Sequence, residues 1–261
     1  MIKFFRRIRQ QLLSQNKFSK YLLYAIGEII LVVIGILIAL QINTWNEQRK
    51  QNILENEYYC RLLEDVLLDK EQVSEKITKV NDRLKSANSA IRLLNEKESL
   101  KIHVAKELAH SINAIISDFT PNKSAFEDLK SGANLNIIKD KSIIKSINNY
   151  FKNVEAHLSI VAVNGEIALS RFFTYKDLYA TGWVHFQMKG RFINGMEKDV
   201  YELMQLNFEE IYTDDMRFQL QNDALRYISS NTRQKQLYDL ILKEAEILIA
   251  LLESKCSKSN V

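Results

Sequence analysis

The sequence predicts an all-α protein: an N-terminal transmembrane helix continuing into a long stalk helix that packs with an extracytoplasmic helical bundle. Three observations predict it. The 261-residue chain holds one proline and seven glycines, so turns are few and elements are long. Residues 22–42 carry a single charge and fourteen Ile, Leu or Val side chains. Over much of the remainder, apolar residues recur at alternating spacings of three and four. The length suits one or two domains. Four segments follow: 1–20 basic and cytoplasmic, 21–42 membrane-spanning, 43–97 stalk, and 98–261 helical domain.

Residues 1–20 contain Lys3, Arg6, Arg7, Arg9, Lys17 and Lys20 and no acid. The whole chain has a net charge of +4, so these six charges leave −2 for everything after them. The basic balance is therefore local. No basic stripe crosses a folded domain, and nucleic acid is not an expected partner. Phe4, Ile8 and Leu12 fall at i, i+4, i+8, with Phe5 and Leu13 widening the stripe. Two readings stand: a short interfacial helix on an anionic leaflet, or a charge signal that only sets topology.

The next segment matches the roughly 20 residues needed to cross about 30 Å of hydrocarbon. Its fourteen branched aliphatics favour insertion by roughly 4 to 8 kcal/mol, against about 3 kcal/mol for one central acid. Insertion wins, and the lipid bilayer is the first expected partner. The run is too long for a cleaved signal, and "LQINTWNEQRK" after it offers no small-x-small site. An uncleaved anchor is expected, N-terminus in the cytoplasm by the positive-inside rule. Tyr21 and Tyr24 would mark one interface and Trp45 the other.

Glu28 is the exception inside this span. At 3.6 residues per turn it nearly eclipses Gly35, and Ala39 follows four residues later. Gly35 and Ala39 form a small-xxx-small pair, which lets another backbone approach closely. Three roles are open for Glu28: a packing polar residue in a homo-oligomer or with another membrane protein, a proton-relay residue, or a shallow acid meeting Lys20 or headgroups.

After Trp45 comes a repeat of Tyr59, Leu63, Val66, Lys70, Val73, Ile77, Val80, Leu84, Ala87, Ile91 and Leu94. It spans five heptads with one polar intrusion, and Glu64, Asp65, Lys76, Asp82 and Arg83 are placed on its flanks. No Pro or Gly interrupts residues 36–120. One helix from about 21 to 97 is expected, packed on later helices of its own chain in preference to a coiled coil between protomers.

"HVAKELAHSINAII" predicts a helix running back along the stalk. Ser124 and Glu127 fit a capping box, and Gly132 the end of that short helix. Asp140 is placed to cap a long helix through Ile144, Ile147, Phe151, Val154, Leu158 and Val161. Residues 181–196, with three glycines, read as an exposed loop. Residues from Asp214 to Lys255 are expected to form a last helix with a strip of Leu237, Leu240, Glu244, Ile247 and Leu251, which could pack antiparallel to the stalk.

The stretches "KFSKYLLYAIGEIILVVIGILIALQINTWNE" and "AFEDLKSGANLNIIKDKSIIKSINNYF" resemble an uncharacterised family of single-span Gram-negative bacterial proteins, domain-of-unknown-function family six thousand and ninety. In that family the Thr44 position is often Asn, and "SGAN" is closer to Ser-Ser-Gly-Asn. The resemblance implies a helical fold and a location, with the span in the inner membrane and the bulk of the chain in the periplasm. It implies no activity.

Chemistry is sparse. His103, His110, His157 and His185 show no metal-pair spacing, and no Cys-x-x-Cys or nucleophile elbow occurs. The pairs Glu209/Glu210 and Asp214/Asp215 read as a solvated helix end. No catalysis, metal or cofactor is expected. Cys60 and Cys256 are the only cysteines. Two readings stand: two free thiols, Cys60 partly buried and Cys256 in a frayed tail, or, if the last helix runs antiparallel to the stalk, a disulfide in a compartment that permits one. The expected role is a membrane-anchored scaffold or interaction protein. The alternative is an energy-coupling or signal-sensing subunit using Glu28.

Overall fold

The computed structural model describes residues 18–116, 119–132, 134–175, 197, 199 and 210–256. The side chains of residues 18–21, Tyr24 and Asn134 lie outside that description. So do the N-terminal basic stripe, the 181–196 loop, His185 and Glu209. The described chain is all-α, with five helices: α1 Phe18–Asn95, α2 Lys101–Ser111, α3 Ser124–Ser131, α4 Lys141–Phe173 and α5 Asp214–Glu253. A 3-10 turn occupies Asn134–Asn136, and one isolated bridge joins Leu100 to Ile211. The chain falls into two units, one ending at Asn56 and the other beginning at Glu57.

In the first unit, α1 carries an 18-residue window of mean hydropathy 2.6, none of it buried. By length and composition this helix suffices to cross a membrane. Leu31, Leu37 and Ile42 are exposed like their neighbours around the whole helix. Thr44 satisfies its hydroxyl on its own helix, donating to the Leu40 carbonyl at 2.9 Å.

In the second unit, α1 and α5 pair antiparallel. Cys60 meets Cys256, Lys70 meets Glu246 at 3.1 Å, Arg83 meets Asn231 at 2.7 Å, and Arg217 reaches Leu94 at 2.8 Å. The stalk seam is thus occupied by the chain's own helices. Tyr59, Val66, Val73, Val80, Ala87 and Leu94 are buried, as the repeat predicts. At the alternate positions Leu63, Ile77, Leu84 and Ile91 pack half-buried against the core, as expected, but the most deeply buried residues are others. The buried residues are Leu62, Asp69, Arg83 and Ala90, each one place before the expected Leu63, Lys70, Leu84 and Ile91. Asp65 and Arg83, expected on the solvated flanks, are 8% and 6% exposed. Hydrogen bonds described below make their burial tolerable.

On α5 Leu237 is buried as expected, and the rest of the strip is displaced by one place toward the C-terminus, opposite to the shift on α1. Leu220, Ala224, Tyr227, Asn231, Gln234, Tyr238, Ile241, Ala245, Leu248 and Leu252 are buried at strict three-four spacing. Leu240 and Ile247 are 44% and 62% exposed. Thr213 caps this helix by accepting from the Met216 amide at 3.3 Å. Asp214 and Asp215 lie in its first turn and complement its dipole.

On α4, Asp140 caps as expected, its Oδ1 accepting from the Ser142 amide at 3.0 Å. Ile143, Ile147, Phe151, Val154, Val161, Gly165, Ala168 and Phe172 form the buried face. Ile144 and Leu158 are half-buried at its edge. The capping box on α3 is absent. Lys123 occupies the cap position without a side-chain bond, and Gly132 ends the helix. Ser124 instead donates its hydroxyl to Asp65 at 2.9 Å, and the Ala125 amide donates to Asp65 at 2.9 Å. A carboxylate from α1 caps α3 across the interface.

The apolar residues form two clusters. One holds Leu62, Val73, Ile147, Val154, Tyr238 and Ile241. The other holds Leu94, Leu108, Ile112, Phe172, Leu220 and Tyr227. At roughly 1.5 to 3 kcal/mol per fully buried large side chain, these clusters supply the main drive to fold.

Candidate functional site

Glu28, Gly35 and Ala39 all lie on α1, so the helical spacing assumed for them holds. At about 100° per residue they fall within an arc of about 40°. Glu28 is half-exposed; Gly35 and Ala39 are exposed. A Cβ at Gly27 or Gly35 would meet nothing within 4 Å. Trp45 is exposed, on the helix after the apolar window. Tyr21 and Tyr24 belong to α1.

Cys60 and Cys256 form a disulfide, with Cα atoms 5.0 Å apart at a sequence separation of 196. The last turn of α5 delivers Cys256, whose amide donates to the Leu252 carbonyl at 2.8 Å.

A polar layer lies where the two apolar clusters meet. Its centre is Arg83. The guanidinium donates from Nε to Asn231 Oδ1 at 2.7 Å and from Nη2 to Gln234 Oε1 at 2.7 Å. From Nη1 it donates to the carbonyls of Asn113 and Ala114, both at 3.2 Å. Asn231 Nδ2 donates to the Ser111 carbonyl at 2.8 Å, and Gln234 Nε2 to the Ile115 carbonyl at 3.2 Å. Three buried side chains thus take the carbonyls that close α2 and the turn after it. That turn contains Ala114 at φ 50°, the one described non-glycine residue with positive φ. On its other side the backbone presses on α4: a Cβ at Gly165 would sit 3.0 Å from the Ile115 oxygen. Glycine is required there by close approach.

Two further buried charges do similar work. Arg217, 6% exposed, donates to the carbonyls of Leu94 at 2.8 Å, Glu96 at 2.7 Å and Lys97, closing the C-terminus of α1. Asp69, fully buried, accepts from the Asn122 amide, Asn122 Nδ2 and the Tyr150 hydroxyl, each at 2.8 Å. Burial pushes this carboxyl above its ordinary value, and the three donors only partly offset that.

A cleft of about 450 Å³ opens over the polar layer. Lys79, Asp82, Arg83 and Ser86 line it from α1, and His110, Asn113 and Ala114 from α2 and its turn. The four α1 residues fall at i, i+3, i+4 and i+7, one face of the helix. Asp82 is engaged by Lys85 at 3.0 Å. Burial holds the His110 imidazole below its usual value, and Lys106 adds to this against the opposing pull of Glu107.

Reading apolar periodicity missed Asp65, Asp69, Arg83, Arg217, Asn231 and Gln234. A signal was present: Asp69 and Arg83 fall on the heptad that runs through Leu62 and Ala90. Among the described residues, no three His, Cys, Asp or Glu side chains gather as a metal-ligand set. Of the expected solvated pair at 209–210, Glu210 is exposed, and its Oε2 accepts from Lys101 at 2.7 Å.

No curated protein and no solved structure matches the chain. The family model that does match spans residues 28–172, from Glu28 in the apolar window to the end of α4, and so takes in Asp65, Asp69, Arg83 and the cleft. On that match the chain belongs to the family of unknown function DUF6090.

Proposed function

We propose that the protein is a single-pass, membrane-anchored scaffold whose helical unit from Glu57 onward works outside the cytoplasm, in the periplasm, as a non-catalytic interaction module. The observation that carries the reading is the apolar window of α1, exposed on every side over 18 residues. Such a surface needs lipid or protein cover. Six basic residues precede it, which favours a cytoplasmic N-terminus. The Cys60–Cys256 disulfide agrees, because such bonds persist in oxidising compartments. Partner recruitment is assigned to the face of Glu28, Gly35 and Ala39, where a second copy or another membrane helix approaches closely.

A C-terminal tag tests the location: protease added to spheroplasts should remove it, and a protected tag overturns the topology. Crosslinking through the span tests the partner face. Gly35→Leu should abolish it, and unchanged crosslinking refutes that face. Glu28→Gln separates a packing role from proton handling. The scaffold predicts intact assembly and function, whereas loss of function with intact assembly would favour the energy-coupling alternative.

A further inference from the structure

We infer that the cleft between α1 and the end of α2 is a binding site for a small molecule bearing a carboxylate or phosphate group, held by Lys79 and His110 above the fixed charge of Arg83. The inference does not depend on the membrane topology, since every residue of the site lies in the unit after Glu57.

The lining is rich in donors. It offers the Lys79 ammonium, the His110 imidazole, the Ser86 hydroxyl and the Asn113 amide, with the Arg83 charge beneath them. Asp82 is the one acid, and Lys85 answers it. No ion pair engages Lys79 among the described residues. Ligand-sized clefts run from about 300 to 1,000 Å³, so about 450 Å³ suits a compact metabolite.

The floor is preorganised. Arg83 is held by Asn231, Gln234 and two carbonyls, so its charge is fixed in place before any ligand arrives. The same guanidinium grips both carbonyls of the turn containing Ala114. A left-handed alanine costs about 1 to 3 kcal/mol, a kind of strain that gathers at ligand clamps. His110 belongs to the argument for a different reason. Its depressed basicity keeps it largely neutral near pH 7, and an oxyanion beside it would draw a proton onto the ring, tightening the contact.

The test uses the full chain in detergent with inorganic phosphate and malonate as separate probes, against sodium chloride at matched ionic strength. Thermal unfolding and the His110 ring proton resonances are followed; His110→Gln assigns those resonances. A saturable rise in unfolding temperature with one probe, together with a shift of the His110 signal, is expected. Phosphate and malonate then tell which acid the site takes. Lys79→Gln and His110→Gln should each weaken that probe about tenfold or more, because a charge-assisted hydrogen bond is lost. Lys79 is exposed and His110 half-buried, so both variants should keep the parent's helicity. The proposal is overturned if neither probe saturates, or if both variants respond as the parent does.

Discussion

Replacing Arg83 with methionine tests whether the polar layer holds the second unit together. The guanidinium serves four acceptors. The Asn113 and Ala114 carbonyls border the cleft, and water can replace their donor. Asn231 Oδ1 and Gln234 Oε1 are buried, and they lose theirs outright. Each stranded buried acceptor costs about 1 to 3 kcal/mol. Removing a desolvated cation returns part of this, as buried-charge replacements show. The net loss should be about 3 kcal/mol, which for a unit of this size lowers the unfolding temperature by about 6 to 12 °C. Far-UV circular dichroism during heating reads it. Arg83→Lys keeps the charge but not the fork, and should recover less than half of the loss. A double-mutant cycle with Asn231→Ala should give a coupling of at least about 1 kcal/mol. A methionine variant within about 1 kcal/mol of wild type, or strict additivity in the cycle, would refute the layer's importance.

Three further outcomes follow from other contacts. Opening the Cys60–Cys256 bond frees a 196-residue separation, worth about 5 kcal/mol in the chain-entropy treatment. Cys60→Ser, Cys256→Ser, the double variant and reductant should therefore all destabilise equally, and an unfolding midpoint insensitive to reductant would contradict this. Asp69 has a folded pKa above its ordinary 3.8, so its protonation adds stability that is complete below that value and is lost as pH rises through the folded pKa. Wild type should lose ground to Asp69→Asn as pH climbs from 4 toward 7, and a pH-independent difference in urea unfolding would count against it. Gly165→Ala gains about 1 kcal/mol of helix propensity. The new methyl meets backbone atoms of Ile115 and Ile116 at 3.0 to 3.3 Å, so a net loss of about 1 kcal/mol is expected by denaturant titration; a stabilised variant would show that the turn yields.

The helices, their order, the antiparallel return of α5 and the Asp140 cap are all legible in the sequence. The seams are legible only in half. Val66, Val73, Val80 and Ala87 mark one heptad position because they are apolar and nothing competes with them. At the other position a count of apolar side chains prefers Leu63, Leu84 and Ile91 to Leu62, Arg83 and Ala90. Leu63 and Leu62 are equivalent in hydropathy, so the decision falls to Arg83 and Asp69, which such a count rejects. What reverses it is the supply of partners from 53 to 151 residues away: Asn122 and Tyr150 for Asp69, Asn231 and Gln234 for Arg83. The α3 cap fails for the same reason. Ser124 has a carboxylate at 2.9 Å from another helix and has no need of Glu127.

These long-range charges share a pattern. Asp65 meets the N-terminus of α3, Arg83 the C-terminal turn of α2, and Arg217 the C-terminus of α1. Acid faces the positive end of a helix dipole and base the negative end, and in each case a different helix supplies the charge. A helix can cap itself from its own flanking residues, as Asp140 and Thr213 do. Capping from a neighbour adds something a local cap lacks, because it forms only when the two helices are in the right register. Two apolar seams at three-four spacing tolerate a slip of one heptad, since Leu meets Leu again. Here a slip would carry Arg83 away from Asn231 and Gln234 into apolar surroundings, and would part Cys60 from Cys256 at the far end of the same pairing. An uncompensated buried charge costs about 3 to 5 kcal/mol, enough to reject the slipped arrangement in a domain of ordinary stability. The interruptions in the apolar pattern are therefore what make the pairing of α1 with α5 unique.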